Sequence, residues 1–239
     1  MIIRNGNHSI PIQSLMTIKN LHPRERPRRK LLQRGVENLS DAELLAIMIG
    51  SGRAGMSALD IGHQLLNDWD SLNDLINADL SQLQQCKGVN RVFYCRLKAA
   101  MELTSRCLQE SLTRDTAIEN PAATRRFLIS RLRNLNHEVF AVLFLDNAHR
   151  LIQYEILFEG TINGASVYPR RVLERAMNWH AAAVILAHNH PSGIAEPSQA
   201  DEQITRTLIK TLALVDIRVL DHVIIASNSA VSMAERGLI

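Results

Sequence analysis

The chain has 239 residues, of which 46% are hydrophobic and 21% charged, with a formal net charge of +3. That is ordinary globular composition, long enough to bury one large core or two small ones without disulfide staples, and too apolar for a chain disordered throughout. The 11 glycines and 7 prolines follow no period, which excludes collagen-like and low-complexity architectures.

The charge is unevenly placed. Residues 1–34 carry eight basic side chains (Arg4, Lys19, Arg24, Arg26, Arg28, Arg29, Lys30 and Arg34) against Glu25 alone, a local charge of +7 that leaves −4 for the rest. Residues 114–239 balance, with thirteen charges of each sign. A basic arm ahead of a neutral half predicts two units with different partners. The arm suits contact with phosphates, including those of DNA, although a solvated terminus explains the same charges. Cys86, Cys95 and Cys107 form no C-x-x-C. With no apolar leader in Met-Ile-Ile-Arg-Asn-Gly, they predict a reduced, cytoplasmic protein. The longest clean apolar runs, 140–145 and 181–187, fall far short of the roughly 20 residues that span a bilayer, so no membrane partner is expected.

In chain order, Ser40-Asp-Ala-Glu43 is a capping-box pattern, followed at helical spacing by Leu44, Leu45, Ile47 and Met48 and stopped by Gly50 and Gly52. Ser57 predicts the cap of a second helix bearing Leu59, Ile61, Leu65 and Leu66, and Ser71 that of a short third with Leu72, Leu75 and Ile76. Leu83-Gln-Gln-Cys86-Lys-Gly88-Val89-Asn90, before a helix over 91–110, has the shape of a helix-hairpin-helix. Gly88 and Asn90 both tolerate the positive φ that a tight turn demands. Such a turn offers backbone N–H groups to a phosphate in DNA-binding hairpins. Here Asn90 stands where a second glycine is usual, and Phe93-Tyr94 replaces small or basic residues, so a hairpin used for packing or protein contact explains it too. Cys86 and Cys95 read as small core residues. A helical domain is expected over 17–112.

Residues 111–123 read as a linker, after which Thr124 predicts the cap of a basic amphipathic helix. The pattern then changes to a strand over 138–145, apolar at nearly every position as if covered on both faces, and a paired strand over 151–158. Gly160 and Gly164 punctuate a loop. Pro169 begins a helix reaching to about residue 179, and a buried strand over 182–187 precedes a long helix from Ser198 to about residue 214. Further strands are expected over 217–220, 223–226 and 231–233. This second domain, 117–239, is α/β with a mixed sheet and flanking helices.

Its informative stretch runs from Ala187 through His188-Asn-His190-Pro-Ser-Gly to Pro197-Ser198-Gln-Ala-Asp201. Two histidines spaced i, i+2 at a strand end project from one face. Asp201 lies in the first turn of the following helix. Two imidazoles and one carboxylate make a three-ligand metal site that leaves a position for water, the open geometry of catalytic zinc. The residue types leave iron and manganese open. Ser198 and Asp201 are equally explained as a capping box, and the two roles can coexist.

His188-x-His190, ten residues and Asp201, with Ser198 before it and an earlier glutamate opening an apolar strand, resembles the JAMM motif of the JAB/MPN metallopeptidases. The local context, with Asp221-His222-Val-Ile-Ile, Gly160-Thr161, Pro169-Arg170 and Ser40-Asp-Ala-Glu-Leu-Leu, is similar to the RadC-like branch over residues 17–239. The resemblance implies a cytidine-deaminase-like α/β fold and one Zn²⁺ held by His188, His190 and Asp201. It makes Glu138 the general base of peptide or isopeptide hydrolysis, with Glu155 and Glu159 as competitors, and Ser198 a donor to the oxyanion. Asp221 is expected to orient a ligating imidazole from behind, while His222 reads as structural at the start of a buried strand, with ligation as its alternative. A DNA-associated role for the helical domain is the rival function. A zinc deaminase is set aside, because no cysteine follows Cys107 to complete its Pro-Cys-x-x-Cys element.

Overall fold

The computed structural model describes residues 21–114, 120–160, 167–226 and 229–239. They form two compact units divided between Met101 and Glu102.

The first unit is helical. The basic segment contains helix α1 (Pro27–Arg34), with proline in its first turn where no N–H is needed. Helices α2 (Asp41–Ile49) and α3 (Ala58–Asp68) both begin in capping boxes, on Ser40/Glu43 and Ser57/Asp60. Ser71 caps α4 (Leu72–Asn77), and Asp79 with Gln82 closes a further capping box on α5 (Leu80–Gln85). Leu45, Ile49, Ile61, Leu65, Leu75, Leu83 and Phe93 form the core. The hairpin between α5 and α6 (Arg91–Arg114) turns at Gly88, with φ +94°. Asn90 does not take a positive φ: its side chain instead accepts from the backbone N–H of Phe93 at 2.9 Å and starts α6. Cys86 packs against this core, whereas Cys95 is exposed and so is not the core residue expected.

The second unit contains the distal part of α6. The predicted linker is shorter than expected, since α6 continues to Arg114 with Leu112 fully buried, and α7 (Pro121–Leu132) begins at Pro121. Asn120 is its cap, not Thr124, which lies buried inside the helix. The strands are β1 (Val139–Leu145), β2 (Leu151–Glu159), β3 (Ala183–Asn189), β4 (Arg218–Ile225) and β5 (Ala230–Ser232), arranged as β2-β1-β3-β4-β5. β4 runs unbroken through Asp221 and His222, where the sequence suggests two strands. Among the described residues only β3 and β4 pair in parallel, and α9 (Gln199–Ala213) supplies the crossover that such a pair requires.

Val139, Ala141, Leu143, Ala183, Ile185 and Ala187 pack on Phe127, Leu128 and Leu132 of α7. Phe140, Val142, Val184 and Leu186 face Val172 and Ala176 of α8 (Pro169–Asn178) and Leu208 and Leu212 of α9. Helices on both faces account for the continuous apolar runs of β1 and β3. Antiparallel pairing sets Phe140 beside His188 and Val139 beside Glu159, so the start of β1 and the ends of β2 and β3 meet at one rim of the sheet.

Candidate metal centre

The site stands at that rim. β3 carries His188 on the α8/α9 face, and His190 follows one residue beyond the strand. Alternation turns Asn189 the other way. On the helix side, Asp201 occupies the third position of α9, where a capping box folds its carboxylate back onto Ser198. Its Oδ2 accepts from the Ser198 backbone N–H at 2.7 Å and from the Ser198 hydroxyl at 2.6 Å. The other oxygen, Oδ1, is left 3.2 Å from His188 Nε2. His188 Nε2 and His190 Nε2 are 2.9 Å apart, and His190 Nε2 lies 3.7 Å from Asp201 Oδ2.

The three residues form a group that could hold a metal ion. Ligand atoms at about 2.0–2.1 Å from a tetrahedral ion are about 3.3 Å apart, and the nearest contacts here, with His188 meeting Oδ1 and His190 meeting Oδ2, run from 2.9 to 3.7 Å. The side chains are 2%, 19% and 13% exposed in the order His188, His190, Asp201, so one edge of the group remains open. Both imidazoles present Nε2 inward. His190 directs Nδ1 at the Ile194 carbonyl, 2.8 Å away, and a proton donated there leaves Nε2 with a free lone pair. Burial holds the His188 imidazole below its ordinary pKa, against the pull of Asp201 and with help from His190. It is therefore neutral, the form that ligates.

Glu138 immediately precedes β1. Burial raises its carboxyl pKa; His190 opposes and Asp201 adds to the effect, which puts it within electrostatic reach of both. Its competitors are engaged elsewhere. Glu155 is held by Arg175 and by Trp179 Nε1 at 2.8 Å, which keeps its carboxyl pKa low. Glu159 is 71% exposed and 3.8 Å from His137 Nε2.

Two placements differ from expectation. Asp221 does not reach a ligating imidazole, because its carboxylate accepts from the backbone N–H groups of His222 at 2.7 Å and Ala234 at 3.0 Å. The imidazole partner is His222 instead. It is fully buried inside β4, with Nε2 2.8 Å from His188 Nδ1. Two residues that sequence reasoning passed over are also part of the structure around the site. Asn189 receives the Val139 N–H at 2.8 Å and donates to the carbonyls of Leu135 and His137, so it fixes the backbone on both sides of Glu138. Thr205, one turn after Asp201, touches His222 Nδ1 at 2.6 Å. A polar residue within the strand between two histidines was the one available signal for Asn189; nothing local marks Thr205.

The profile described as "RadC-like JAB domain" matches residues 118–238, and "UPF0758 N-terminal" matches residues 18–95. The chain belongs to the RadC family. It is 52% identical over 224 residues to a UPF0758 protein of Vibrio campbellii, covering 94% of this chain and 100% of that protein. A UPF0758 protein of Nitrosococcus oceani is 53% identical over 224 residues with the same coverage, and one of Thioalkalivibrio sulfidiphilus is 56% identical over 215 residues, covering 90% of this chain and 96% of its own. Among the described residues no helix is long and apolar enough to cross a membrane.

Proposed function

We propose that the RadC-like JAB unit is a zinc-dependent amide hydrolase acting on a peptide or isopeptide bond. The observation that carries this reading is the gathering of ligand atoms from His188, His190 and Asp201 within 4.8 Å of one another, with the raised carboxyl of Glu138 nearby. Zinc suits two neutral imidazoles and a carboxylate, and when bound it supplies Lewis acidity toward a carbonyl and acidifies water near neutral pH. Glu138 accepts a proton from the attacking water and returns it to the leaving nitrogen as the C–N bond breaks. Ser198 holds Asp201 in the resting site. Its hydroxyl proton turns toward the carbonyl oxygen as negative charge develops there.

Elemental analysis of metal-reconstituted protein tests the site: one zinc per chain is expected, lost in His188→Ala and Asp201→Ala. Hydrolysis of a peptide library by the zinc-loaded protein, abolished in Glu138→Gln while zinc is retained, tests the reaction. A chain that takes up no zinc sinks the reading.

A second reading concerns the helical unit and DNA. Arg26, Arg28 and Arg29 line a cavity of about 210 Å³ with Pro27, Ala46, Ile47 and Gly50. We propose that this basic surface contacts a phosphate backbone. Affinity for duplex DNA that falls steeply with salt and weakens in Arg28→Ala/Arg29→Ala supports it, because such binding releases counterions; binding that is absent or insensitive to salt refutes it.

A further inference from the structure

We propose that His222 and Thr205 form a directional hydrogen-bond relay that sets the tautomer of His188 and thereby the strength with which the His188–His190–Asp201 group holds a metal. This inference rests on the metal-site reading above and assigns a positioning role to two residues that touch no reacting atom.

The relay has four members in line. His188 Nδ1 lies 2.8 Å from His222 Nε2, His222 Nδ1 lies 2.6 Å from Thr205 Oγ1, and Thr205 Oγ1 lies 2.5 Å from the Asp201 carbonyl oxygen. His188 is 1% exposed, and His222 and Thr205 are not exposed at all, so water cannot substitute for a missing partner. The Phe140 ring lies 5.4 Å from the His222 ring, and Met233 Sδ lies 3.8 Å from Thr205 Oγ1. The two ring nitrogens of His222 face His188 and Thr205 in full burial, and a neutral imidazole has one proton to place between them.

Two proton arrangements are open to the line. When His188 Nε2 gives its lone pair to a metal, the His188 proton must sit on Nδ1 and donate to His222 Nε2. The His222 proton then sits on Nδ1 and donates to Thr205 Oγ1, and the Thr205 hydroxyl donates to the Asp201 carbonyl. That carbonyl has no proton to return, so in the loaded state the line runs one way only.

Without a cation, the 2.9 Å contact between His188 Nε2 and His190 Nε2 needs a proton between them. The His190 proton is already directed at Ile194, so His188 supplies it from Nε2. The two bonds on the His222 ring then reverse: Thr205 turns its hydroxyl proton from the Asp201 carbonyl to His222 Nδ1, and His222 Nε2–H donates to His188 Nδ1. Loading the site changes the direction and not the number of protons. The relay also ties three ligand-bearing or supporting elements together: β3 through His188, β4 through His222, and α9 through Thr205 and Asp201.

The test compares zinc affinity of the full-length wild type, Thr205→Val, Thr205→Ser and His188→Ala by competition with a chromophoric chelator at neutral pH. Valine keeps the shape and removes the hydroxyl, stranding the His222 Nδ1–H of the loaded state. Its affinity is expected to fall roughly 10–100-fold, the usual size of a defect behind a ligating histidine. Serine restores the hydroxyl and is expected to restore the affinity, which a packing role for the threonine methyl would not do.

An independent readout needs no substitution. In two-bond ¹H–¹⁵N correlation spectra of the wild type, zinc is expected to move the His222 proton from Nε2 to Nδ1. Equal zinc affinity in the wild type and Thr205→Val, or an unchanged His222 tautomer on loading, overturns the relay. If His188→Ala alone abolishes binding in that case, the metal-site reading stands without it. A wild type that binds no zinc overturns both.

Discussion

Replacing Asn189 by alanine is the sharpest test of how the rim of the sheet is held. The Asn189 amide is 2% exposed and makes three hydrogen bonds, one from the Val139 N–H and two to the carbonyls of Leu135 and His137. Each such bond contributes about 0.5–1.5 kcal/mol net, and a buried donor left unpaired costs about 1–3 kcal/mol. Val139 is 1% exposed, so its N–H stays stranded, whereas the carbonyl of the exposed His137 gains water in compensation. The expected loss is therefore about 2–4 kcal/mol, read as a shift in the urea midpoint at constant slope. Because the same three bonds bracket Glu138, hydrolysis should fall by more than stability alone explains, with zinc stoichiometry kept at one. A loss below about 0.5 kcal/mol, the size of a neutral surface substitution, refutes the clamp and with it the account of how Glu138 is placed.

Further outcomes follow from other parts of the fold. Gly88→Ala should destabilise the helical unit by about 1–3 kcal/mol in urea unfolding, since φ is +94° and a new Cβ would lie 2.7 Å from Ile61 Cδ1. Ser57→Ala removes one side of a capping box and should cost about 1 kcal/mol by the same measurement. Glu155→Gln should lower stability at neutral pH, with the difference from the wild type shrinking in acid. The carboxyl pKa is held below its ordinary 4.5 by Arg175 and Trp179, so this stabilisation is complete above that pH and lost as pH falls through the folded value. A difference that persists unchanged at pH 3 would contradict the sign.

Most elements were legible locally because they are written in short-range chemistry. Ser40, Ser57, Ser71 and Ser198 each precede an apolar period and each caps a helix, because a side-chain oxygen at that position meets an orphan N–H whatever the rest of the chain does. The same holds for Pro169 at the start of α8. Errors occur where local signals compete. Thr124 has a capping side chain, yet the helix begins earlier, where Asn120 Oδ1 accepts the Ala123 N–H at 3.0 Å ahead of Pro121. Asp221-His222 reads as a break between strands because both are polar, yet β4 carries them straight through, since parallel pairing with β3 continues across them.

The site divides in the same way. His188, His190, Ser198 and Asp201 lie within fourteen residues of one another, so their meeting follows from one strand, one loop and one helix start, and the pattern is visible from spacing. What stands behind them comes from elsewhere in the chain. His222 arrives on β4, Glu138 at the head of β1, and Thr205 gains its meaning only by facing His222. Spacing cannot express those contacts, because sheet order and register bring them together. Hydrogen-bond partners of a buried imidazole belong to the tertiary structure even where the imidazole itself can be read from the sequence.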